Sequence, residues 1–271
     1  MKSFIKQKLR THPRVLRGAI KVNRIVGRIS RQAKKAVPYG LRQYPDLALH
    51  GDRVLRELFP TLISKLHVSS FIETGTFKAA TTLFIAQKQK SLPIFTCEVL
   101  KEHFNESRWR LRKCQNVTLK KLSSPTFIRE LTEGGRLGTL PFFFLDAHGE
   151  GSEYLPLVDE VQKISTLKKA IIVIDDFLVP GQPQFGYDVW THNKKELPLD
   201  LSLIKGGLNS VSIYQFVFPR YDADDAFSDA PHDPLRGHVL IFMNAADEVQ
   251  EFFKAPVARF YTLEQRPTSS L

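Results

Sequence analysis

The sequence predicts an α/β domain: a doubly wound, mostly parallel sheet with helices on both faces, preceded by a basic amphipathic helix. Three observations predict it. Strand-length apolar runs alternate with helical periods from Val68 to Asn244, the mark of βαβ units. Two of those runs, "PFFFLD" and "AIIVIDD", are continuously apolar, as strands covered on both faces must be. Finally, residues 1–45 hold 13 Lys or Arg and no Asp or Glu, leaving 26 basic against 28 acidic residues in the rest of the chain. The net charge of +11 therefore belongs to one arm, and a fold-wide nucleic-acid surface is not indicated. The boundary falls between an arm and linker, 1–45, and the α/β domain, 46–271.

In the arm, Pro13 suits a helix start and Pro38 with Gly40 suits its end. Val15, Ala19, Val22, Val26, Ile29 and Ala33 recur at spacings of four and three. Arg17, Lys21, Arg24, Arg28, Arg31 and Lys35 repeat that spacing two positions on, about 200° around a helix. Such a helix suits an anionic membrane interface, reached through residues 1–40. A mitochondrial-type presequence, an RNA-binding arm, and a helix docked on the domain or on a second subunit compete with that reading. Nucleic acid is the weaker partner, and a homo-oligomer stays open.

Gly51 to His67 reads as a helix leading into the first strand, Val68–Glu73. The stretch "FIETGTFKAATTLFIA" then reads as strand, loop and helix, with Gly75 permitting the turn and Phe77 to Ala86 at helical spacing. Further strands follow at Pro93–Val99, Val117–Leu122, Pro141–Asp146 and Ala170–Asp175, with a helix from Tyr154 to Leu167 before the last. The Pro/Gly-rich stretch "LVPGQPQFGYDVW" precedes two more strand candidates, Val211–Phe218 and His238–Asn244.

Bulk composition, 42% hydrophobic and 25% charged, excludes disorder throughout. Cys97 and Cys114 form neither a C-x-x-C pair nor a disulfide framework, which predicts free thiols in a reducing compartment. No apolar run reaches the roughly 20 residues that span a bilayer. The expected setting is cytoplasmic, peripheral at the membrane if the arm binds lipid.

Carboxylates fall at the carboxyl ends of successive strands: Glu73, Glu98, Asp146 and Asp175, with Asp176 beside the last. Their common position lines one edge of the sheet, where open α/β sheets bind ligands. Any single acid could merely cap a following helix. Four in succession favour a site, since caps need not all be anionic. Glu73 beside the turn would repel a pyrophosphate, and the G-x-G-x-x-G spacing is absent, so dinucleotide and P-loop readings weaken. Glu98, 25 residues after Glu73, stands where nucleoside-binding folds place an acid on ribose hydroxyls. The combination fits a ligand with a nucleoside and a cationic group, such as S-adenosylmethionine.

From Val68 to Asn244 the chain resembles the Rossmann-like class I S-adenosylmethionine-dependent methyltransferases. The resemblance rests on "FIETGTFKAATTLF", "FTCEV", "FFFLDAHG" and "IIVIDD", in that order. An Asp after strand four with paired Asp after strand five resembles, more narrowly, metal-dependent O-methyltransferases of the macrocin and cephalosporin hydroxylase-like groups. The resemblance implies cofactor contacts from Glu73, Thr74, Gly75, Thr76, Glu98, Ser123, Ser124 and Asp146. It also implies Mg2+ or another divalent cation on Asp146, Asp175 and Asp176, and a small-molecule or sugar hydroxyl as acceptor. Ala79 and "KLSSP", with Ser123 and Ser124 where relatives carry an acid, depart from the family pattern.

His148 is the candidate general base, since an imidazole titrates near neutral pH. A loop histidine that is simply exposed is the plainer reading. Phe185, Tyr187 and Trp190 could wall an acceptor or pack their own loop. "YDADDAF" matches the D-x-D of glycosyltransferases through Asp222 and Asp224, which gives a rival enzyme reading. A solvated acidic turn explains it as well. An interaction protein on a methyltransferase scaffold is the non-catalytic rival.

Overall fold

The computed structural model describes residues 44–148, 154–192, 195–208, 211, 213–227 and 235–264. The expected amphipathic arm lies outside the described residues. After a turn through left-handed Leu49 and His50, Asp52 caps the first helix, α1 (Arg53–Lys65), by accepting from the amides of Val54 at 2.8 Å and Leu55 at 3.2 Å. Alternation then follows: β1 (Ser70–Thr74), α2 (Ala80–Lys88), β2 (Ile94–Cys97), α3 (Lys101–Leu111), β3 (Val117–Lys120), α4 (Ser124–Glu133), β4 (Pro141–Leu145), α5 (Leu157–Ile164) and β5 (Ala170–Ile174). A hairpin, β6 (Val189–His192) with β7 (Lys195–Pro198), precedes α6 (Leu201–Ile204), β8 (Tyr214–Pro219), α7 (Ala223–Ala226), β9 (Val239–Met243), α8 (Ala246–Phe253) and β10 (Tyr261–Glu264).

Eight strands form one sheet in the order β10-β8-β9-β5-β4-β1-β2-β3. Strands β1 to β5 are mutually parallel, while β9 runs antiparallel to both β5 and β8, and β10 antiparallel to β8. The result is a doubly wound, mostly parallel, Rossmann-like sheet. Its winding reverses between β1 and β4, which opens a crevice at their carboxyl ends. As their apolar sequences predict, β4 and β5 are buried along their whole length, and so are β1 and β9. Phe59 of α1 seats on this core, its ring centroid 5.0 Å from Phe142 and 5.1 Å from Phe144. Cys97 and Cys114 are free, as expected.

Several elements start later than the sequence predicts: the helix expected from Tyr154 begins at Leu157, and the strand expected from Val211 begins at Tyr214. The helix after β1 begins at Ala80, because Phe77 (φ 47°) and Ala79 (φ 60°) adopt left-handed backbone. Two bonds clasp Phe77 there: its amide donates to Glu98 Oε2 at 2.8 Å, and its carbonyl accepts from Ser107 Oγ at 2.6 Å. Residues 75–79 thus form a shaped loop rather than the first turn of a helix.

Candidate functional site

The loop after β1 meets the loop after β4 at the point where the sheet reverses. Gly75 has φ +80°, and a Cβ there would stand 2.4 Å from the carbonyl oxygen of Asp146. Glycine is required at this position by a close approach of the protein to itself, so the backbone of 75 fixes the backbone of 146.

On the β2 side, Glu98 is 6% exposed, and each of its oxygens accepts one amide: Oε2 from Phe77 and Oε1 from Leu100, both at 2.8 Å. A carboxylate oxygen can accept a second bond, so Glu98 remains able to receive hydroxyls. Around it Phe77, Val99 and Leu100 are 54%, 60% and 53% exposed, with Phe77 against the His103 ring at 4.5 Å. An anchored carboxylate ringed by uncovered apolar side chains suits a flat, partly apolar ligand with hydroxyls.

The other polar groups expected here turn inward. Glu73 is buried and accepts from the hydroxyls of Thr82 and Thr96. Burial pushes its carboxyl up to about 7, so Glu73 braces β1 to α2 and β2 instead of presenting a fixed anion to the crevice. Thr76 Oγ1 pairs with Thr96 Oγ1 at 2.5 Å, and Thr74 Oγ1 accepts from the Asp146 amide at 3.3 Å. Ser123 donates to Thr126 Oγ1 at 3.0 Å. Ser124 is buried, and burial raises the nearby Glu160 carboxyl, whose oxygens have no hydrogen-bond partner among the described residues, to about 7. Of the residues expected around the cofactor, Glu98 and the Gly75 backbone keep a place on the crevice, while the hydroxyls of Thr74 and Thr76 serve the fold.

Beyond β4 and β5 lies a cluster of ionisable groups. Asp146, His148 and Asp176 each offer a donor atom, and these lie within 4.8 Å of one another. The expected trio of Asp146, Asp175 and Asp176 is not the set that converges. Asp175 is fully buried, and its Oδ2 is 2.7 Å from His50 Nε2. For His50, burial alone would lower the pKa, but the Asp175 carboxylate outweighs it and raises it to about 9. Burial would likewise raise Asp175, and its pairing with His50 instead brings it down to about 2. The two form an ion pair across the turn before α1.

Asp176 takes a left-handed backbone, φ 50°, so its side chain departs from that of Asp175. Its Oδ1 accepts from Arg236 Nη1 at 2.7 Å, with Asp188 also near that guanidinium at 3.6 Å. Asp146 is the remaining carboxylate. Among the described residues no side chain bonds to it, and burial with the neighbouring charges of Asp175, Asp176 and Glu73 holds its pKa well above the usual range. His238 is buried and neutral, pushed down to about 4 by burial, with Nε2 3.1 Å from the Tyr261 hydroxyl.

His50 and Arg236 carry no motif and were not singled out from sequence. The aromatic wall divides: Phe185 is core, packed edge-on against Tyr221 at 5.1 Å, while Tyr187 and Trp190 are half-buried. Asp222 and Asp224 lie exposed at the start of α7, where the Asp222 amide donates to Asp225 Oδ2 at 3.1 Å. That is a capped surface turn, and neither residue joins the convergent cluster.

No family model matches the chain, and no curated protein matches it. Solved structures similar to it include the N-terminal domain of EvdMO1 with SAH bound, at 16% identity over 80% of this chain and 95% of that one, with a TM-score of 0.44. Spermidine synthase from Thermotoga maritima is 10% identical over 74% and 63%, with a TM-score of 0.45. Precorrin-6y C5,15-methyltransferase from Geobacter metallireducens GS-15 is 14% identical over 69% and 85%, with a TM-score of 0.40.

Proposed function

We propose that this chain is an S-adenosylmethionine-dependent methyltransferase acting on a hydroxyl of a small molecule or sugar. The observation that carries the reading is Glu98: a buried carboxylate at the carboxyl end of β2, pinned by two amides and ringed by exposed Phe77, Val99 and Leu100. Those residues fit a nucleoside, with hydroxyls on Glu98 and the base against the apolar rim. S-adenosylmethionine, when bound, supplies an electrophilic methyl on a sulfonium.

The chain's own residues would then position the two reactants. The loop 75–79, clasped by Glu98 and Ser107, holds one wall, and Gly75 lets that wall touch Asp146. Asp146, His148 and Asp176 face the acceptor side, where a lone pair is needed to receive or share the acceptor's proton. Catalysis on this reading is mainly orientation, holding a hydroxyl in line with the methyl. A divalent cation held by these residues would make the hydroxyl more acidic.

Residues 1–40 would bring the enzyme to anionic membrane surfaces, a reading supported by their opposed apolar and basic stripes. Among the described residues, no helix is long and apolar enough to cross a membrane. Isothermal titration with S-adenosylmethionine and with a nucleotide sugar tests the function. Binding of the first and not the second is expected. The reverse would return the chain to the glycosyltransferase reading, and binding of neither would leave an interaction protein.

A further inference from the structure

We propose that His148 is a metal ligand through Nδ1, so that Asp146, Asp176 and His148 form an oxygen, oxygen, nitrogen site that prefers a borderline first-row dication, such as Fe2+, Co2+ or Zn2+, to Mg2+. The inference deepens the methyl-transfer reading, because this cluster is its acceptor half.

The tautomer carries the case. His148 Nε2 lies 2.9 Å from the backbone carbonyl of Asp175. A carbonyl can only accept, so Nε2 bears the proton and the lone pair of the neutral ring sits on Nδ1. That Nδ1 is buried and has no hydrogen-bond partner, in a residue only 7% exposed. Buried acceptors are rarely left this way without a reason. A ring whose one N–H is tied to a carbonyl while the other nitrogen stays open is the arrangement typical of ligating histidines.

The carboxylates are prepared alike. Arg236 holds Asp176 by Oδ1, Asp146 has no side-chain partner among the described residues, and both converge with His148. Asp175, the acid expected as third ligand, is committed to His50 through Oδ2 and supplies its carbonyl to His148 instead. Its role becomes that of the outer group that orients a ligand. The left-handed backbone at Asp176 is what splits the adjacent acids between these duties.

Ligand chemistry then sets the class of metal. Three carboxylates would suit Mg2+, which takes hard oxygen donors and keeps several waters. An imidazole in the set shifts preference toward softer ions along the Irving–Williams order. His148 as a general base needs the same lone pair but no convergence with two carboxylates, and it predicts no metal selectivity.

The test uses the full-length chain stripped with a chelator and titrated with Co2+ and with Mg2+, alongside titration with S-adenosylhomocysteine. Co2+ should bind at least about 10-fold more tightly than Mg2+, the lower end of what even a group supporting a ligand changes. His148→Asp should narrow that gap by about 10-fold, with a melting curve recorded to confirm that the variant is folded. Should that variant fail to fold, pulsed electron paramagnetic resonance of the Co2+-loaded parent decides, since it must show coupling to a histidine nitrogen. Equal affinities in the parent, a Co2+ preference undiminished in His148→Asp, or no nitrogen coupling would each overturn the inference. Retained S-adenosylhomocysteine binding in that case leaves methyl transfer standing. Loss of that binding with Co2+ selectivity intact overturns methyl transfer alone.

Discussion

Adding a single methyl group at Gly75 should damage both halves of the crevice at once. Gly75→Ala must accept φ +80° and a Cβ that would stand 2.4 Å from the Asp146 oxygen, 2.9 Å from its carbonyl carbon and 3.0 Å from Ala147 Cα. Left-handed backbone costs an alanine roughly 1–2 kcal/mol. The overlap is with backbone on a neighbouring strand's loop, which cannot rotate away, so one loop must move by more than half an ångström. A total loss of about 3–5 kcal/mol is expected, at the upper end for point substitutions. Gly181→Ala supplies the control: its φ is +70°, but nothing lies within 4 Å of the added Cβ, so it reports the backbone strain alone. Urea unfolding of the parent and both variants gives the difference directly. Gly75→Ala should exceed Gly181→Ala by at least about 1–2 kcal/mol, the usual range for overpacking. Equal losses would refute the claim that the β1 and β4 loops are in forced contact, and with it the coupling of Gly75 to Asp146.

Further expectations concern the buried charges and the arm. Glu73, raised to about 7 from 4.5, binds a proton more tightly folded than unfolded, so stability falls as pH rises from 4.5 to 7. Glu73→Gln should therefore match the parent near pH 4 and exceed it by up to about 3 kcal/mol at pH 8; a gap that does not grow with pH contradicts this. His50→Ala leaves the Asp175 carboxylate buried without its cation, and a loss of about 2–4 kcal/mol is expected, discounted because His50 is one-third exposed. For His50, raised to about 9, the pair's contribution is complete below 6.5 and lost as pH climbs through 9; for Asp175, lowered to about 2, it is present above 3.8 and lost as pH falls through 2. The variant's deficit should thus peak between about pH 4 and 6.5, and a deficit that does not vary with pH would contradict the ion pair. Deleting residues 1–40 should abolish sedimentation with anionic vesicles and spare cofactor binding; unchanged sedimentation would remove the arm from membrane contact.

The strands were legible because full burial on both faces demands unbroken apolar runs, and "PFFFL" and "AIIVI" could be little else. The row of acids at their ends was legible for the same reason, since a strand's end is fixed once its run is. Which way each acid points was not. Glu73 turns to threonines that are 9 and 23 residues away, and Asp175 to a histidine 125 residues upstream, contacts made by packing rather than by pattern. His50 occupies a short left-handed turn with no periodicity, and Arg236 reaches Asp176 across 60 residues. Phe77 fitted a helical spacing, but its clasp on Glu98 and Ser107 outweighed local propensity. His148 was marked as chemically active from its place beside Asp146. Its tautomer, set by the Asp175 carbonyl, could only come from coordinates.

The central claim is that Glu98 receives the ribose hydroxyls of an S-adenosyl ligand, and it is tested most directly by binding S-adenosylhomocysteine and its 2′,3′-dideoxy analogue to the parent and to Glu98→Ala. The parent should prefer the hydroxyl-bearing ligand by about 10-fold or more, the worth of hydrogen bonds to a charged group, and Glu98→Ala should show no preference. The same preference in both proteins, or none in the parent, would contradict the account.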